Sequence, residues 1–421
     1  MKVLWLTMTV PPEANAQIGG EHELMQTGGW IIGLAHYLCK ESEIELAIAS
    51  VSNFVKETTI VQGERVKYYI APSSDGSMKQ EATQSAIWKE IYDNFSPDIV
   101  HIHGTEFHHA LTWIKANGAH NTVVSIQGLV SVYYYFYNSG LSSWDIISNI
   151  TLRDLYRGTL FNDARSFKKR GEDEIKIVQC VNNIIGRTHW DRAHSWSMNS
   201  NAKYHFCNEI LRREFYNAPK WNYNSCTPFT IFVNQSSLPY KGFHMLLRAM
   251  PKILEHYPNT QIRVAGYHLT SNELYYRIRR TGYGRLLLNE IKNNNLGSVI
   301  SFVGRLPANG MISEYLNANV FVCPSAIENS PNALGEAQLL GVPCVASNVG
   351  GVSDMIPDDD CGKLYRFSEP TELAFAICST FEESMKFDNS HEIKVALERH
   401  SPQINVKQLI NIYNTIMSET T

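Results

Sequence analysis

An α/β fold built from two doubly wound parallel-sheet domains is what this sequence predicts, and three observations carry the prediction. Short apolar words alternate with stretches of helical periodicity through the first half. One polar, turn-rich stretch, Lys220–Pro228 (KWNYNSCTP), interrupts the alternation. The same alternation then restarts and runs through the second half. Alternating strands and helices bury a parallel sheet between helix layers. A chain of 421 residues is long enough for two such domains.

Taken in order, Val3–Met8 reads as the first strand. Gly28-Gly29 precedes a helix over Trp30–Leu38, with Ile31, Leu34, Ala35 and Leu38 at helical spacing. Glu45–Ser50 is strand-like, and Ser85–Phe95 reads as a helix. Pro97-Asp98 then leads into the strand Ile99–His103, and Val123–Ile126 is a further short strand. The texture changes between Val130 and Gly171, where an aromatic word (VSVYYYFYNSGL) runs into a basic stretch with Arg153, Arg157, Arg165, Lys168, Lys169 and Arg170. This region reads as a helical insertion in the first domain. Asn183–Gly186 is the next strand candidate, before the segment RTHWDRAHSWSMNSNAKYHFCNEILRREF.

Past the linker, Phe229–Val233 reads as strand and KGFHMLLRAMPKILEHYP as a helix with Phe243, Leu246, Leu247, Met250 and Leu254 on one face. Gln261–Ala265, Val299–Val303 and Val320–Cys323 read as strands; Gly284–Asn294 and Met311–Leu316 read as helices. A helix from near Ala333 to Gly341, the strand Pro343–Ala346 and a Gly350-Gly351 turn complete the unit. The tail, with apolar residues at helical spacing from Val406 to Met417, is expected to pack back across the domains. The expected limits are 1–219 plus the terminal helix at about 404–421, a linker at 220–228, and 229–403. Open α/β sheets bind ligands at the carboxyl ends of their strands, so the two domains are expected to face a ligand cleft.

Composition narrows the classes. Hydrophobic residues make up 44% and charged residues 19%, a soluble globular balance, and the formal net charge of -4 gives no general pull toward nucleic acid. The eight cysteines form no C-x-x-C pair and read as reduced core residues, which fits a cytoplasmic protein. The opening MKVLWLTMTVPPE reads as a strand, not a secretory signal. No run approaches the ~20 apolar residues a spanning helix needs.

The chemistry concentrates in ENSPNALGEAQLLGVPCVASNVGGVSDMI. Glu328 sits in a turn-rich loop just before a helix, and Glu336 sits in that helix's first turns. A helix N-terminus presents unpaired N–H groups and the positive end of a dipole, an anion site. Two carboxylates beside an anion site suit a ligand that carries both a diphosphate and sugar hydroxyls. A glutamate in a helix's first turn is also a common structural feature, so spacing alone leaves both readings open.

The surrounding words favour the first. "Strand, Lys241-Gly242, helix", then Phe302-Val303-Gly304-Arg305, then Pro324-Ser325…Glu328…Glu336-Ala337…Gly341-Val342-Pro343-Cys344-Val345-Ala346-Ser347…Gly350-Gly351, resembles the retaining glycosyltransferases of family four. The resemblance covers nearly the whole chain and is strongest over 229–367. It implies the GT-B fold, with two Rossmann-like domains and the nucleotide sugar held mainly by the C-terminal one. By the same resemblance Lys241 neutralises the donor diphosphate, Glu336 binds the ribose hydroxyls and Glu328 binds the transferred sugar near its reacting carbon. Backbone N–H groups at Asn332, Ala333 and Leu334 meet the phosphates, while Arg305 faces the nucleotide or pairs with a neighbour. Gly28 and Gly29 resemble the glycine loop that approaches donor and acceptor.

Two positions depart from the family pattern. Ser236 stands where members commonly carry an arginine that clamps phosphate, and a hydroxyl does not replace a bidentate guanidinium. Gln235, Ser236 and backbone amides, or Arg305, are left to do that work. Gln127 stands where many members carry a histidine beside the transferred sugar. Glutamine donates a hydrogen bond but is neither acid nor base. In the mechanism the family implies, the departing phosphate accepts the acceptor's proton, so no strong protein base is required. His101 and His103, in Asp98-Ile99-Val100-His101-Ile102-His103-Gly104, point to one face of their strand. His103, nearest the strand end, is the site candidate, and His101 reads as a core residue. Asn208, Glu209 and Arg212 lie in a segment resembling a subgroup of bacterial surface-polysaccharide enzymes and are expected either to face the site or to form an ordinary domain-edge helix.

The expected activity is transfer of a sugar from a UDP- or GDP-linked donor to an oligosaccharide or a polyprenyl-diphosphate-linked glycan, in capsule, lipopolysaccharide or exopolysaccharide synthesis. A same-fold sugar-nucleotide epimerase and a nucleotide-sugar-binding protein without catalysis are the alternatives. No H-E-x-x-H word appears and no D-x-D word follows a strand, so no metal and no cofactor are expected. The 130–170 region is expected to touch the acceptor or a membrane surface, or simply to cover its domain. The expected location is the cytoplasm, with a peripheral position at the inner face of the membrane.

Overall fold

The computed structural model describes residues 1–19, 29–40, 44–73, 78–266, 269 and 278–420. The chain divides into two compact units. The first comprises 1–131, 168–212 and 400–421, and the second comprises 132–167 and 213–399.

The first unit holds an eight-stranded sheet: β1 (Lys2–Leu6), β2 (Glu45–Ser52), β3 (Thr59–Gln62), β4 (Val66–Pro72), β5 (Ile99–His103), β6 (Thr122–Ser125), β7 (Asn183–Gly186) and β8 (Lys203–Phe206). Its order is β3-β4-β2-β1-β5-β6-β7-β8. Every pair is parallel except β3 with β4, an antiparallel edge. β5, β6 and β7 are buried along their whole length, as strands covered on both faces must be. The chain reverses its direction of growth between β1 and β5, so the ligand end of this sheet lies just past those two strands.

The second unit repeats the device with β9 (Thr230–Val233), β10 (Gln261–Ala265), β11 (Ile300–Gly304), β12 (Val320–Cys323), β13 (Cys344–Ser347) and β14 (Lys363–Tyr365), in the order β11-β10-β9-β12-β13-β14. All its pairs are parallel. Here the reversal falls between β9 and β12. The helix Phe243–His256 buries Phe243, Leu246, Leu247, Met250 and Ile253 into the unit's core cluster.

Two expectations change. The segment 130–171 was expected as an insertion in the first domain, but 132–167 belongs to the second unit. The reason is packing: Tyr133, Tyr137 and Phe167 meet the Tyr240 ring at 5.6–5.9 Å, and Tyr137, Ile146 and Leu160 join the second unit's core. The expected linker at 220–228 is likewise part of that unit. Trp221 is buried, its backbone N–H donates to Leu340 O at 2.8 Å, and its indole donates to Ala318 O at 2.7 Å. The terminal helix Pro402–Thr420 lies in the first unit, where Tyr413 Oη meets His101 Nδ1 at 2.6 Å and accepts from Trp5 Nε1 at 3.1 Å.

Candidate functional site

The two strand ends at the reversal in the second sheet supply the main constellation. After β9 the chain runs through Gln235 and the buried Ser236 into a single turn at Pro239–Lys241. Gly242 follows in the left-handed region, at φ 71°, and a Cβ there would overlap the carbonyl of Pro324. Only glycine lets these two loops touch. Ala326 N donates to Tyr240 O at 2.7 Å and completes the seam between them.

The seam places Lys241 Nζ 2.6 Å from Glu328 Oε1. Ser325 Oγ donates to the same oxygen at 2.7 Å. Glu328 is buried, and its second carboxylate oxygen takes no hydrogen bond among the described residues. Burial by itself pushes the Lys241 ammonium down, but the Glu328 carboxylate with Tyr240 outweighs it, and the net shift is upward. Lys241 is therefore charged at any physiological pH.

Glu328 is also gripped from behind. Its carbonyl accepts from Gly351 N at 3.0 Å, and Gly350, at φ 55°, leaves room for that carbonyl where a Cβ would collide with it. Arg399 Nη2 donates to Ser330 Oγ at 3.2 Å and tethers the same loop. The helix Asn332–Leu340 then begins behind Pro331 with no side chain capping it. Its first turn, through Asn332, Ala333 and Leu334, starts close in sequence to Glu328, and Glu336 is buried one turn on. Arg305, just past Gly304 at φ 76°, is exposed and forms no ion pair among the described residues. Ser236 is only 2% exposed.

The first unit gathers its own group at the ends of β5, β6, β7 and β8. His103, Gln127, Arg187, Asn208, Glu209 and Trp30 line a cavity of about 30 Å³. His101 and His103 stack with ring centroids 3.8 Å apart. His101 is a satisfied core residue, held by Tyr413 Oη and by Ser125 Oγ at 2.6 Å each. His103 is buried with neither ring nitrogen hydrogen-bonded. Burial, with His101 beside it, holds its pKa well below the ordinary imidazole value, so it is neutral. Gly29 opens the helix Gly29–Leu38, and the Arg212 stem lies 3.0 Å from where its Cβ would be. Gly28 lies outside the described residues.

Sequence reasoning missed two groups here. Arg187 is buried, pairs with Glu209 at 2.7 Å, and donates from Nη2 to the carbonyls of both Ile126 and Gln127 at 2.8 Å each. It fixes the backbone that carries Gln127. Its signal was its position directly after β7. Glu106, directly after β5, accepts from Gly128 N at 3.2 Å, and burial with the Glu174 carboxylate pushes it up to about 7.

Among the described residues, Asp358, Cys361 and His391 bring potential metal-ligand atoms within 4.8 Å of one another. Asp358 and Cys361 precede β14, at the end of the sheet opposite the Lys241–Glu328 pair, and His391, on the helix Ser390–His400, meets Asp358 Oδ2 through Nε2 at 3.1 Å.

Two parallel-sheet Rossmann-like domains with these strand-end sites make the fold GT-B. Solved structures agree: sucrose-phosphate synthase from Thermosynechococcus elongatus superposes with a TM-score of 0.75 at 13% identity over 99% of each chain. HepE from Anabaena, in complex with UDP-glucose, gives 0.66 at 13% over 99% of this chain and 100% of that one. Residues 217–394 match the family model for glycosyl transferases group 1. A D-inositol 3-phosphate glycosyltransferase from Corynebacterium urealyticum is 26% identical over 182 residues, 42% of this chain and 40% of that protein. The capsular polysaccharide biosynthesis glycosyltransferase CapM of Staphylococcus aureus is 29% identical over 182 residues, 43% and 44% of the two chains. These matches span about two fifths of the relatives' length.

Proposed function

We propose that this protein is a retaining glycosyltransferase that moves a sugar from a UDP- or GDP-linked donor to an oligosaccharide or polyprenyl-diphosphate-linked glycan in bacterial surface-polysaccharide assembly. The observation that carries the reading is the Lys241–Glu328 pair at the β9/β12 reversal, beside an uncapped helix start. A cation and a carboxylate within one bond of each other suit a ligand with a diphosphate and hydroxyls side by side. Lys241 and the first-turn N–H groups take the phosphates. Glu336 takes the ribose, and the open oxygen of Glu328 takes a hydroxyl of the moving sugar. Arg305 is the cation that takes over the clamp role that the Ser236 hydroxyl does not fill.

On the acceptor side the reading assigns Gln127 and the neutral His103 to hydrogen bonding, not proton transfer. The departing phosphate then accepts the acceptor's proton, and no resident metal is called for. CapM, a capsular enzyme, and HepE, solved with UDP-glucose, support the surface-polysaccharide setting and the donor class.

The experiment is turnover followed by NMR. The protein is incubated with UDP- and GDP-sugars and lipid-linked acceptors extracted from bacterial membranes. A product that keeps the donor's anomeric configuration, with nucleotide released, supports the reading. An inverted product would remove the retaining mechanism. Donor isomerised without acceptor would mark an epimerase, and donor bound but left intact would mark a protein without catalysis.

A further inference from the structure

The stretch 142–157 in the second unit wears its polarity inside out. The helices Ser143–Ser148 and Leu152–Arg157 each start with a reciprocal cap, Ser142 with Asp145 and Thr151 with Asp154, so their backbones are held in place. Their inner side sets Ile146 into the core and is otherwise polar. Asn149 and Asp154 are buried, Asn289 Nδ2 donates to Asn149 Oδ1 at 2.8 Å, and Thr151 Oγ1 donates to Arg280 O at 3.0 Å. Their outer side is apolar: Trp144 is 73% exposed, Ile147 51%, Leu152 87%, Leu155 72% and Tyr156 89%. A helix on a water-facing surface ordinarily shows the reverse. Five large apolar side chains held outward by two capped helices and a hydrogen-bonded base need an apolar cover.

The surroundings indicate which cover. Arg157 follows directly and is exposed, and the next helix, Leu160–Cys180, carries exposed Arg165 in its first turns beside one exposed acid, Asp163. Trp and Tyr mixed with Leu and rimmed by Arg is the composition of a segment lying in a lipid headgroup layer. A basic rim repels a second copy of itself and attracts anionic lipid. No helix among the described residues is long and apolar enough to cross a membrane, so the contact would lie on the surface.

We infer that the outer face of 144–156 docks on an anionic bilayer, with Trp144, Leu152, Leu155 and Tyr156 entering the headgroup boundary and Arg157 and Arg165 meeting lipid phosphate. This deepens the proposed reading of a lipid-linked acceptor, but lipid binding is measured without turnover, so each can fail alone.

The test is co-sedimentation of the full chain with vesicles of phosphatidylcholine, with and without phosphatidylglycerol. Binding is expected to the anionic vesicles, weaker to the neutral ones, and reduced by salt. The variant Leu152→Ser/Leu155→Ser/Tyr156→Ser is expected to lose more than about tenfold in affinity for the anionic vesicles. Its melting temperature, equal to that of the parent, excludes misfolding. The charge reversal Arg157→Glu/Arg165→Glu, which leaves the apolar face intact, is expected to weaken binding only where phosphatidylglycerol is present. A parent protein that binds neither vesicle, or a triple variant that binds as the parent does, overturns the inference. So does a parent dimer that the triple variant dissociates while vesicle binding is absent in both, since a second copy would then be the cover.

Discussion

Replacing Glu328 by alanine probes both the architecture and the chemistry of the second unit. In the folded protein Oε1 accepts from Lys241 Nζ at 2.6 Å and from Ser325 Oγ at 2.7 Å. Hydrogen bonds to a buried charge contribute about 1.5–3 kcal/mol each, and breaking a buried pair from one side costs about 3–5 kcal/mol. The Lys241 side chain is 23% exposed, so the freed ammonium regains part of its hydration and the cost falls to about 2–4 kcal/mol. For a unit of this size that lowers the melting midpoint by about 5–15 °C. Glu328→Gln keeps the shape and a neutral acceptor for Lys241, and should lose about half as much. Thermal unfolding followed by circular dichroism gives the stability term. Turnover at saturating donor, measured well below the variant's midpoint, gives the chemical one, and it should drop at least tenfold in the alanine variant. An alanine variant that melts with the parent and turns over at the parental rate would refute both the pairing energy and the placement of Glu328 at the sugar.

Glu336→Ala should weaken binding of the donor nucleotide more than about tenfold, read by calorimetry, through loss of a buried carboxylate's hydrogen bonds to ribose. Arg187→Ala strips Glu209 of its buried partner and frees the 126–127 backbone, for a loss of about 3–5 kcal/mol in urea unfolding. Arg187→Lys should keep Glu209 paired but fail to reach both carbonyls, so it should recover stability without recovering full turnover. Glu106 sets a pH dependence. Its folded pKa of about 7 lies above the ordinary 4.5, so its contribution is fully present below about pH 4.5 and is lost as pH rises through about 7. The parent should therefore lose up to about 3 kcal/mol between pH 5 and 8, and Glu106→Gln should flatten that slope; an unchanged slope would place the titration elsewhere.

Much of the fold was legible because parallel strands buried on both faces write themselves as apolar runs. β5, β7 and β12 are such buried strands, and their sequence limits agree with the structure. β3, β4, β8 and β14 were missed. β3 and β8 lie at sheet edges and alternate or expose their side chains, and β14 is a three-residue edge. The membership of 132–167 was illegible because it rests on ring packing between residues about a hundred positions apart, Tyr137 and Tyr240 among them. At the site, motif order brought Lys241 and Glu328 to one point, since both follow strands at the sheet's reversal. Arg187 escaped because its role is to hold a backbone, and no spacing rule marks a residue that grips carbonyls some sixty positions away.

The central claim is that the second unit holds a nucleoside diphosphate sugar at the β9/β12 ends. Calorimetric titration of the intact protein with UDP, GDP and their glucose and mannose conjugates tests it most directly. Saturable binding of one nucleotide class is expected, weakened at least tenfold in Lys241→Met. No heat and no rise in melting midpoint with any of these ligands, or binding indifferent to Lys241, would contradict the account.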